Sequence, residues 1–261
     1  MNEINSIAIE RGRRALQPGI LPGAVLPRFV FVTISGAHLY GFPSADSDID
    51  LRGAHLLPVR EFIRLGEPNE TYESKTGRID GIEVDCVSHD LRKYLRLLTK
   101  KNGYVLEQIF SPLVVYDGGC LEELRVLARD AMTRHVVHHY KGFFRTQEKL
   151  ATKDHAPSVK AVLYLFRVAM TGLHLLRTAV VEPNILVLNE HFHLPFIPEL
   201  VARKAAGAEK GMMAATEFEI LLSEAKKLEA GLDAAAESSI LPDEVRNLAA
   251  LDEFLVRLRT A

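Results

Sequence analysis

The chain has 261 residues, of which 48% are hydrophobic, 25% charged and 7% aromatic, and its formal net charge is −2 at pH 7. This length accommodates one large domain or two smaller ones, and the composition is that of a globular protein rather than a disordered, collagenous or membrane protein. The near-neutral charge excludes a protein held on nucleic acid by bulk phosphate neutralisation, although a local basic lining for RNA or DNA stays compatible with it.

The cysteine content and the apolar stretches predict a cytoplasmic location. Two cysteines, Cys86 and Cys120, favour a reducing compartment over a disulfide framework. The N-terminal sequence has no apolar core of a secretory leader, and no apolar stretch approaches the roughly 20 residues that a transmembrane helix needs. We therefore expect a cytoplasmic protein that does not enter a membrane.

The first part of the chain alternates between strand and helix patterns. Ser35-Gly36 marks a turn, Pro58 opens a short helix, and Ser88 is placed to cap a helix over 89–101 that ends before Gly103. The strand patterns cover 29–34, 48–56 and 82–87. These elements predict an α/β (α+β) domain around a mixed sheet in residues 1–117.

The rest of the chain, residues 118–261, predicts an all-helical C-terminal domain. The segment 182–198 has three prolines and no helical period, so we expect a structured loop there. Pro157 suits the first turn of the second helix. The helical patterns cover 120–150, 157–179, 199–206, 214–231 and 243–259.

Three acidic residues carry the main prediction about chemistry. Asp48 and Asp50 are two positions apart on one strand, so both carboxylates leave the same face, and Asp85 lies on another strand. Carboxylate oxygens are hard ligands suited to Mg²⁺ or Mn²⁺ beside substrate phosphates. A lone Asp-x-Asp is also common as a solvated surface pair. The order of strand, glycine turn, Asp-x-Asp strand and a later strand aspartate is more specific, and it predicts a two-metal site.

These motifs resemble the DNA polymerase β-like nucleotidyltransferase superfamily, and more closely its RlaP-like branch, which is associated with RNA repair. The first part of the resemblance covers most of residues 1–117. The residues that carry it are Ser35-Gly36, His38, Tyr40-Gly41, Ser47-Asp48-Ile-Asp50-Leu-Arg-Gly53, Val84-Asp-Cys-Val-Ser88 and Asn102-Gly-Tyr-Val-Leu-Glu-Gln108.

The resemblance implies a metal-dependent transfer of a nucleoside monophosphate from an NTP to an acceptor hydroxyl. Asp48 and Asp50 would bind two Mg²⁺ or Mn²⁺ ions, and Asp85 would hold the catalytic one and help remove the acceptor's proton. The nucleotide would contact Ser35, Gly36, Ser47 and Arg52 in the first domain. An RNA 3′-end is the acceptor that the resemblance implies, and transfer of AMP to a protein or a small molecule is the alternative.

One position departs from the family pattern. The serine that follows the first glycine is Ala37 here. Loss of one hydrogen bond to the triphosphate would cost roughly 0.5–1.5 kcal/mol, which weakens binding without removing the chemistry. A non-catalytic module that binds nucleotide or RNA therefore stays open as an alternative.

A polar stripe on helix 157–179 forms the second part of the resemblance. The stripe contains no acidic residue, and almost everything else on the helix is apolar, so we expect the stripe to face water or a cleft. A cleft would suit a triphosphate, and in the resembled family a helical domain closes the nucleotide site, which implies that Lys160, Tyr164 and Arg167 bind the nucleotide. The stripe consists of Lys160, Tyr164, Arg167, Thr171, His174 and Thr178.

Two further features have open interpretations. His135, His138 and His139 have a spacing that allows a transition-metal site, but it also fits ordinary surface or cleft histidines. Arg52 shares the strand face of Asp48 and Asp50, where it either contacts phosphate or balances the acids.

Overall fold

The computed structural model describes residues 3–21, 26–74, 77–153, 157–207 and 213–261. These residues form two compact units. The first unit consists of the described residues of Met1–Leu39, Asp46–Ala131 and Glu244–Ala261, and the second of those of Tyr40–Ala45 and Met132–Asp243. Both units are therefore built from separate chain segments. The division into domains at residue 117 stays a prediction.

The first unit is built around a mixed sheet, in which the described residues form six strands. The spatial order is β3-β5-β2-β1-β6, and β4 also pairs with β5. Only the β2–β5 pair is parallel, while the other recorded pairs are antiparallel. The predicted mixed sheet is confirmed. The strands are β1 (Arg28–Ile34), β2 (Ile49–Leu56), β3 (Thr71–Glu73), β4 (Gly77–Ile79), β5 (Ile82–Asp90) and β6 (Val114–Asp117).

The central strands follow from their side chains. Residues 30–34 of β1 are all buried, as expected for a β-branched and aromatic run that is covered on both faces. Gly53 of β2 lies so close to β1 that a Cβ atom there would be 2.0 Å from the carbonyl oxygen of Phe31. Glycine at this position therefore permits the close pairing of the two strands.

The first unit also contains the following helices: α1 (Glu3–Ala15), α2 (Gly36–Tyr40), α3 (Arg60–Ile63), α4 (Leu91–Thr99), α5 (Gly103–Phe110), α6 (Leu121–Ala131) and α12 (Leu248–Thr260). The last residue of α2, Tyr40, is grouped with the second unit.

Two predicted boundaries near β5 are wrong. Ser88 does not cap a helix, because it pairs with Gly53 in the sheet and its Oγ lies 2.7 Å from Nδ1 of His55. Asp90 is the N-cap of α4, and its carboxylate accepts a hydrogen bond from the backbone N–H of Arg92 at 2.9 Å. Gly103 lies past the end of α4, as predicted, and it also begins α5. Strand β5 therefore extends to Asp90, beyond the predicted strand over 82–87, and the helix cap is Asp90 instead of Ser88.

The second unit is helical, and the predicted helical C-terminal part is confirmed. It contains a 3₁₀ helix, η1 (Arg134–Val136), and the α-helices α7 (Val137–Lys153), α8 (Val159–Thr178), α9 (Ile185–Phe192), α10 (Ile197–Ala205) and α11 (Ala215–Glu237). Ser158 is the N-cap of α8, so Pro157 precedes this helix rather than standing in its first turn.

Two helix predictions in this part of the chain are wrong. The single helix over 120–150 is interrupted between α6 and α7, where the backbone N–H of Arg134 donates to the carbonyl oxygen of Pro242 at 2.9 Å. The predicted loop over 182–198 contains α9. Its prolines stand outside α9, and Asn184 caps the helix by accepting from the backbone N–H of Leu186 at 3.0 Å. The prolines of this segment flank a short helix and do not indicate the absence of one.

Helix α8 forms the centre of the second unit. Among the described residues, α8 has the length and the composition that would allow a helix to cross a membrane. However, 83% of its most apolar window is buried inside the protein. The expectation that no apolar stretch approaches that length is therefore wrong for α8. Burial of this kind is typical of a core helix, and length and composition alone are weak evidence for a membrane span.

Candidate active site

The parallel pairing of β2 and β5 brings two of the predicted acids together. Asp50 and Asp85 are direct partners in the register, so their side chains leave the same face of the sheet side by side. Asp48 stands just before β2 and is exposed. It acts electrostatically on Asp50. The predicted third acid on a later strand therefore faces the Asp-x-Asp motif.

Arg52 joins the two carboxylates. Its Nη2 lies 2.9 Å from Oδ1 of Asp50, and its Nη1 lies 2.9 Å from Oδ2 of Asp85. The arginine side chain is 15% exposed, and each of the two carboxylates is about 30% exposed. Arg52 thus balances the acids in this structure, as one of its two interpretations proposed. A contact of Arg52 with phosphate stays a prediction.

Two neutral groups also hold the guanidinium in place. Nη1 of Arg52 donates to the carbonyl oxygen of Leu51 at 2.8 Å, and Nε donates to the hydroxyl of Tyr104 at 3.2 Å. Tyr104 lies in the first turn of α5, where its backbone N–H donates to the Asn102 cap. Tyr104 is a further site residue that the sequence did not single out, although it stands inside the Asn102-Gly-Tyr motif that carries part of the resemblance.

The glycine turn lies directly beside Asp50. The backbone N–H of Ser35 donates to the carbonyl oxygen of Asp50 at 2.9 Å. Gly36 has a φ of +62°, and a Cβ atom there would be 2.0 Å from Oδ2 of Asp50. A side chain at position 36 is therefore excluded by both the backbone conformation and the carboxylate. The predicted turn is the start of the short helix α2.

The charges of the site are not in balance. Burial raises the pKa of Asp50 from 3.8 to about 6, Arg52 opposes this rise, and the neighbouring Asp85 and Asp48 add to it. The pKa of Arg52 is raised, because Tyr104 and the two carboxylates together outweigh the effect of burial. Burial is therefore the main reason that the charged form of Asp50 is disfavoured, and the neighbouring acids add to this effect.

The charge and the ligand type of these side chains decide whether the residues fit a divalent cation. Two side-by-side carboxylates, of which Asp50 has a pKa raised chiefly by burial, favour additional positive charge, and their oxygens are the ligands that Mg²⁺ and Mn²⁺ prefer. Within the described ranges, however, no group of three or more histidine, cysteine, aspartate or glutamate side chains is gathered closely enough to hold a metal. The residues therefore fit a cation by chemistry, while Arg52 occupies the position between the two carboxylates.

The remaining predicted site residues are described within their own units. Ser47 is half-buried in the first unit. In the second unit, Lys160 and Tyr164 of α8 are partly exposed, whereas Arg167 is fully buried with its guanidinium 3.9 Å from the ring centre of Tyr40. At Arg167 the predicted stripe therefore faces neither water nor an open cleft. Contacts of these residues with a nucleotide stay predictions.

The histidine cluster near α7 shows no metal-binding geometry. The rings of His135 and His138 are stacked with centres 6.0 Å apart. His139 is half-buried, and burial together with Arg167 lowers its pKa to about 4. The absence of a three-ligand group within the described part of the chain applies to these histidines as well, so the structure favours their ordinary interpretation.

Known proteins are similar to the chain over most of its length. A model of the RlaP family, an RNA repair pathway DNA polymerase beta family, matches residues 8–257. The uncharacterized protein MJ0002 of Methanocaldococcus jannaschii is 35% identical over 147 residues, which are 55% of this chain and 58% of that protein. The match thus spans little more than half of the archaeal relative. The uncharacterized protein YcgL of Bacillus subtilis is 26% identical over 218 residues, which are 77% of this chain and 82% of that protein.

One solved structure is also similar. It is a nucleotidyltransferase-like protein from Exiguobacterium sibiricum 255-15, with 14% identity over 81% of this chain and 70% of that chain. The TM-score is 0.31, so this likeness carries no argument about the site.

Proposed function

The chain belongs to the RlaP family of polymerase beta-like proteins, and on that premise we propose that it is a nucleotidyltransferase that moves a nucleoside monophosphate from an NTP to the 3′-hydroxyl of an RNA. The observation that supports this proposal most directly is the in-register pair of Asp50 and Asp85 beside the Gly36 turn. Two acids that are distant in sequence meet next to a backbone that admits no side chain, an arrangement that suits metal-assisted nucleotidyl transfer onto a hydroxyl.

The metal ligands in this proposal are the three acids. Asp48 and Asp50 would hold two Mg²⁺ or Mn²⁺ ions, and Asp85 would share the ion on the acceptor side. Such ions, when bound, lower the pKa of the acceptor hydroxyl and neutralise the charge that develops on the leaving pyrophosphate. The raised pKa of Asp50 supports the assignment, because it reflects a demand for positive charge at this point of the sheet.

The protein's own groups position the reactants. In the reaction the acceptor oxygen forms a bond to the α-phosphorus of the NTP, the bond from that phosphorus to the bridging oxygen breaks, and pyrophosphate leaves with that electron pair. The carboxylate of Asp85 accepts the proton of the acceptor hydroxyl. Ser35, Gly36 and Ser47 contact the triphosphate in this proposal.

Ala37 supports a second candidate, a module that binds nucleotide or RNA without catalysis. This residue follows Gly36 in α2, where the family pattern has a serine whose hydroxyl would touch the triphosphate. Loss of that hydroxyl weakens nucleotide binding by up to about tenfold. Any transfer reaction would then depend more strongly on the three acids.

A transfer assay tests the proposal. The purified chain is incubated with each α-³²P-labelled NTP and Mg²⁺ or Mn²⁺, together with an RNA that ends in a 3′-hydroxyl or the same RNA with a blocked 3′-end. We expect label on the unblocked RNA only, and loss of at least about a hundredfold of the rate in Asp85→Asn. A parallel incubation contains cell lysate in place of the RNA. Label on proteins or small molecules in that lysate, with none on the RNA, would establish transfer of AMP to another acceptor. Binding of NTP without any labelled acceptor would establish the non-catalytic module.

A further inference from the structure

We propose that Arg52 is an internal counter-cation that competes with a divalent metal ion for Asp50 and Asp85, and so sets the metal affinity of the site. This inference rests on the proposed function for the identity of the ligands, but it concerns a property that can be measured without any transfer reaction. Its basis is the guanidinium that lies between the two carboxylates and contacts each of them at 2.9 Å.

The competition follows from the way the oxygens are used. Arg52 occupies Oδ1 of Asp50 and Oδ2 of Asp85, one oxygen of each carboxylate. The other oxygen of Asp50, Oδ2, faces the backbone of Gly36 so closely that a Cβ there would be 2.0 Å away. Because Arg52 holds one oxygen of each carboxylate, an ion shared by both acids would lie beside the guanidinium and meet its positive charge at short distance.

The arginine has neutral partners that allow it to release the acids. The carbonyl oxygen of Leu51 and the hydroxyl of Tyr104 accept from Nη1 and Nε, and neither contact involves a carboxylate. A guanidinium has five N–H donors, so these two contacts can hold it in the site after one carboxylate has turned away. Two arrangements of the same residues are thus available, one with the acids on Arg52 and one with the acids on a metal ion.

The geometry also distinguishes competition from simple support. If Arg52 only oriented the acids for the metal, it would contact them through oxygens that leave the shared position open. Both ion pairs instead point toward the space between Asp50 and Asp85, which are direct neighbours in the sheet.

Mn²⁺ binding to the full chain without nucleotide tests the inference. The concentration of free Mn²⁺ is followed by electron paramagnetic resonance during titration at pH 7.5. We expect Arg52→Gln to bind Mn²⁺ at least about tenfold more tightly than the wild type, since loss of one adjacent charge is enough for such a change. Tyr104→Phe removes a neutral partner that holds the arginine after it releases an acid, so this variant should weaken Mn²⁺ binding by a smaller factor.

Matched variants separate a local effect from a change in net charge. Arg78 is an exposed arginine on the neighbouring strand β4, where it pairs with Glu83 at 2.6 Å. Arg78→Gln therefore removes the same charge from the same unit and should leave Mn²⁺ affinity unchanged. The double variant with Arg52→Gln and Asp50→Asn should lose the gain, which assigns the ion to this site.

The possible outcomes separate this inference from the proposed function. Unchanged or weaker Mn²⁺ binding by a folded Arg52→Gln protein would overturn the competition, whether or not the wild type transfers nucleotides. Tighter binding in a protein that labels no acceptor would support the competition and count against the transfer. Arg52→Lys provides a second test if the glutamine variant does not fold, because a single ammonium replaces the planar fork whose two terminal nitrogens each hold one acid. Its affinity should exceed that of the wild type, and equal or weaker binding would refute the inference.

Discussion

Asp50→Asn should make the metal-free protein more stable at alkaline pH. A carboxyl group whose pKa is higher in the folded than in the unfolded state binds its proton more tightly on folding. Burial raises the pKa of Asp50 from 3.8 to about 6, so its charged form opposes folding above pH 6. This penalty diminishes as the pH falls through 6 and disappears below 3.8. Asparagine never carries the charge, and its side-chain oxygen can still accept a hydrogen bond from Arg52.

The size of the effect follows from the shift. About two pKa units at about 1.4 kcal/mol per unit give a ceiling of about 3 kcal/mol in the free energy of unfolding. Because 31% of the Asp50 side chain is exposed, solvent screens part of this, and we expect a gain of about 1–2 kcal/mol at pH 8. Integration of the same shift leaves roughly half of the gain at pH 5.

Urea unfolding with EDTA at pH 8 and pH 5 measures this difference. Asp80→Asn is the matched control, because the ion pairs of Asp80 with Arg14 and Arg11 lower its pKa and its replacement should bring no gain. Excess Mn²⁺ should then stabilise the wild type but not Asp50→Asn, because the variant has lost a proposed ligand. A variant that is less stable than the wild type at pH 8 in EDTA, or a gain that grows toward acid pH, would refute this account of the site.

Three further predictions concern the residues around the sheet. Gly36→Ala should lower the free energy of unfolding by at least about 2 kcal/mol in urea, through its left-handed backbone and its clash with Asp50; unchanged stability would contradict the close approach. Arg259→Gln removes the 2.7 Å ion pair to the fully buried Asp90, which keeps its backbone donors, so we expect a loss of about 2–3 kcal/mol in the same assay; a loss below 0.5 kcal/mol, the usual range of a surface substitution, would show that Asp90 does not depend on the pair. Burial lowers the pKa of His55 from 6.5 to about 4, so its contribution to stability is complete above pH 6.5 and is lost as the pH falls toward 4. His55→Gln should flatten that part of the pH profile, and an unaltered profile would exclude His55 as its source.

The sequence predicted the elements that depend on local pattern. The buried run of β1, the mixed sheet and the helical second part all follow from periodicity that a few neighbouring residues determine. The juxtaposition of Asp50 and Asp85 was expected from the family motif, and the parallel register of β2 and β5 provides its geometry. Local pattern and motif order were therefore sufficient for the general architecture.

The features that the sequence did not reveal depend on long-range partners. Ser88 has the residue type of a helix cap, but its pairing with Gly53 and His55 keeps it in the sheet. Arg52 had two equally good interpretations until β5 placed Asp85 beside it. Helix α9 was not predicted, because prolines that flank a helix cannot be distinguished by composition from prolines within a loop. For Ser88 and Arg52 the deciding contact comes from a distant strand, which the periodicity of the surrounding sequence does not reveal.

The charge balance at β2 and β5 connects the stability of the protein to its proposed chemistry. Asp50 and Asp85 share one guanidinium, and Asp48 adds further negative charge. One positive charge does not neutralise this cluster, and burial together with the neighbouring acids raises the pKa of Asp50. A carboxylate pair in this state gains free energy from an additional or stronger cation, whereas a fully neutralised pair would not. The imbalance that weakens the metal-free fold is therefore also the source of affinity for a divalent ion, and Asp50→Asn should remove both effects together.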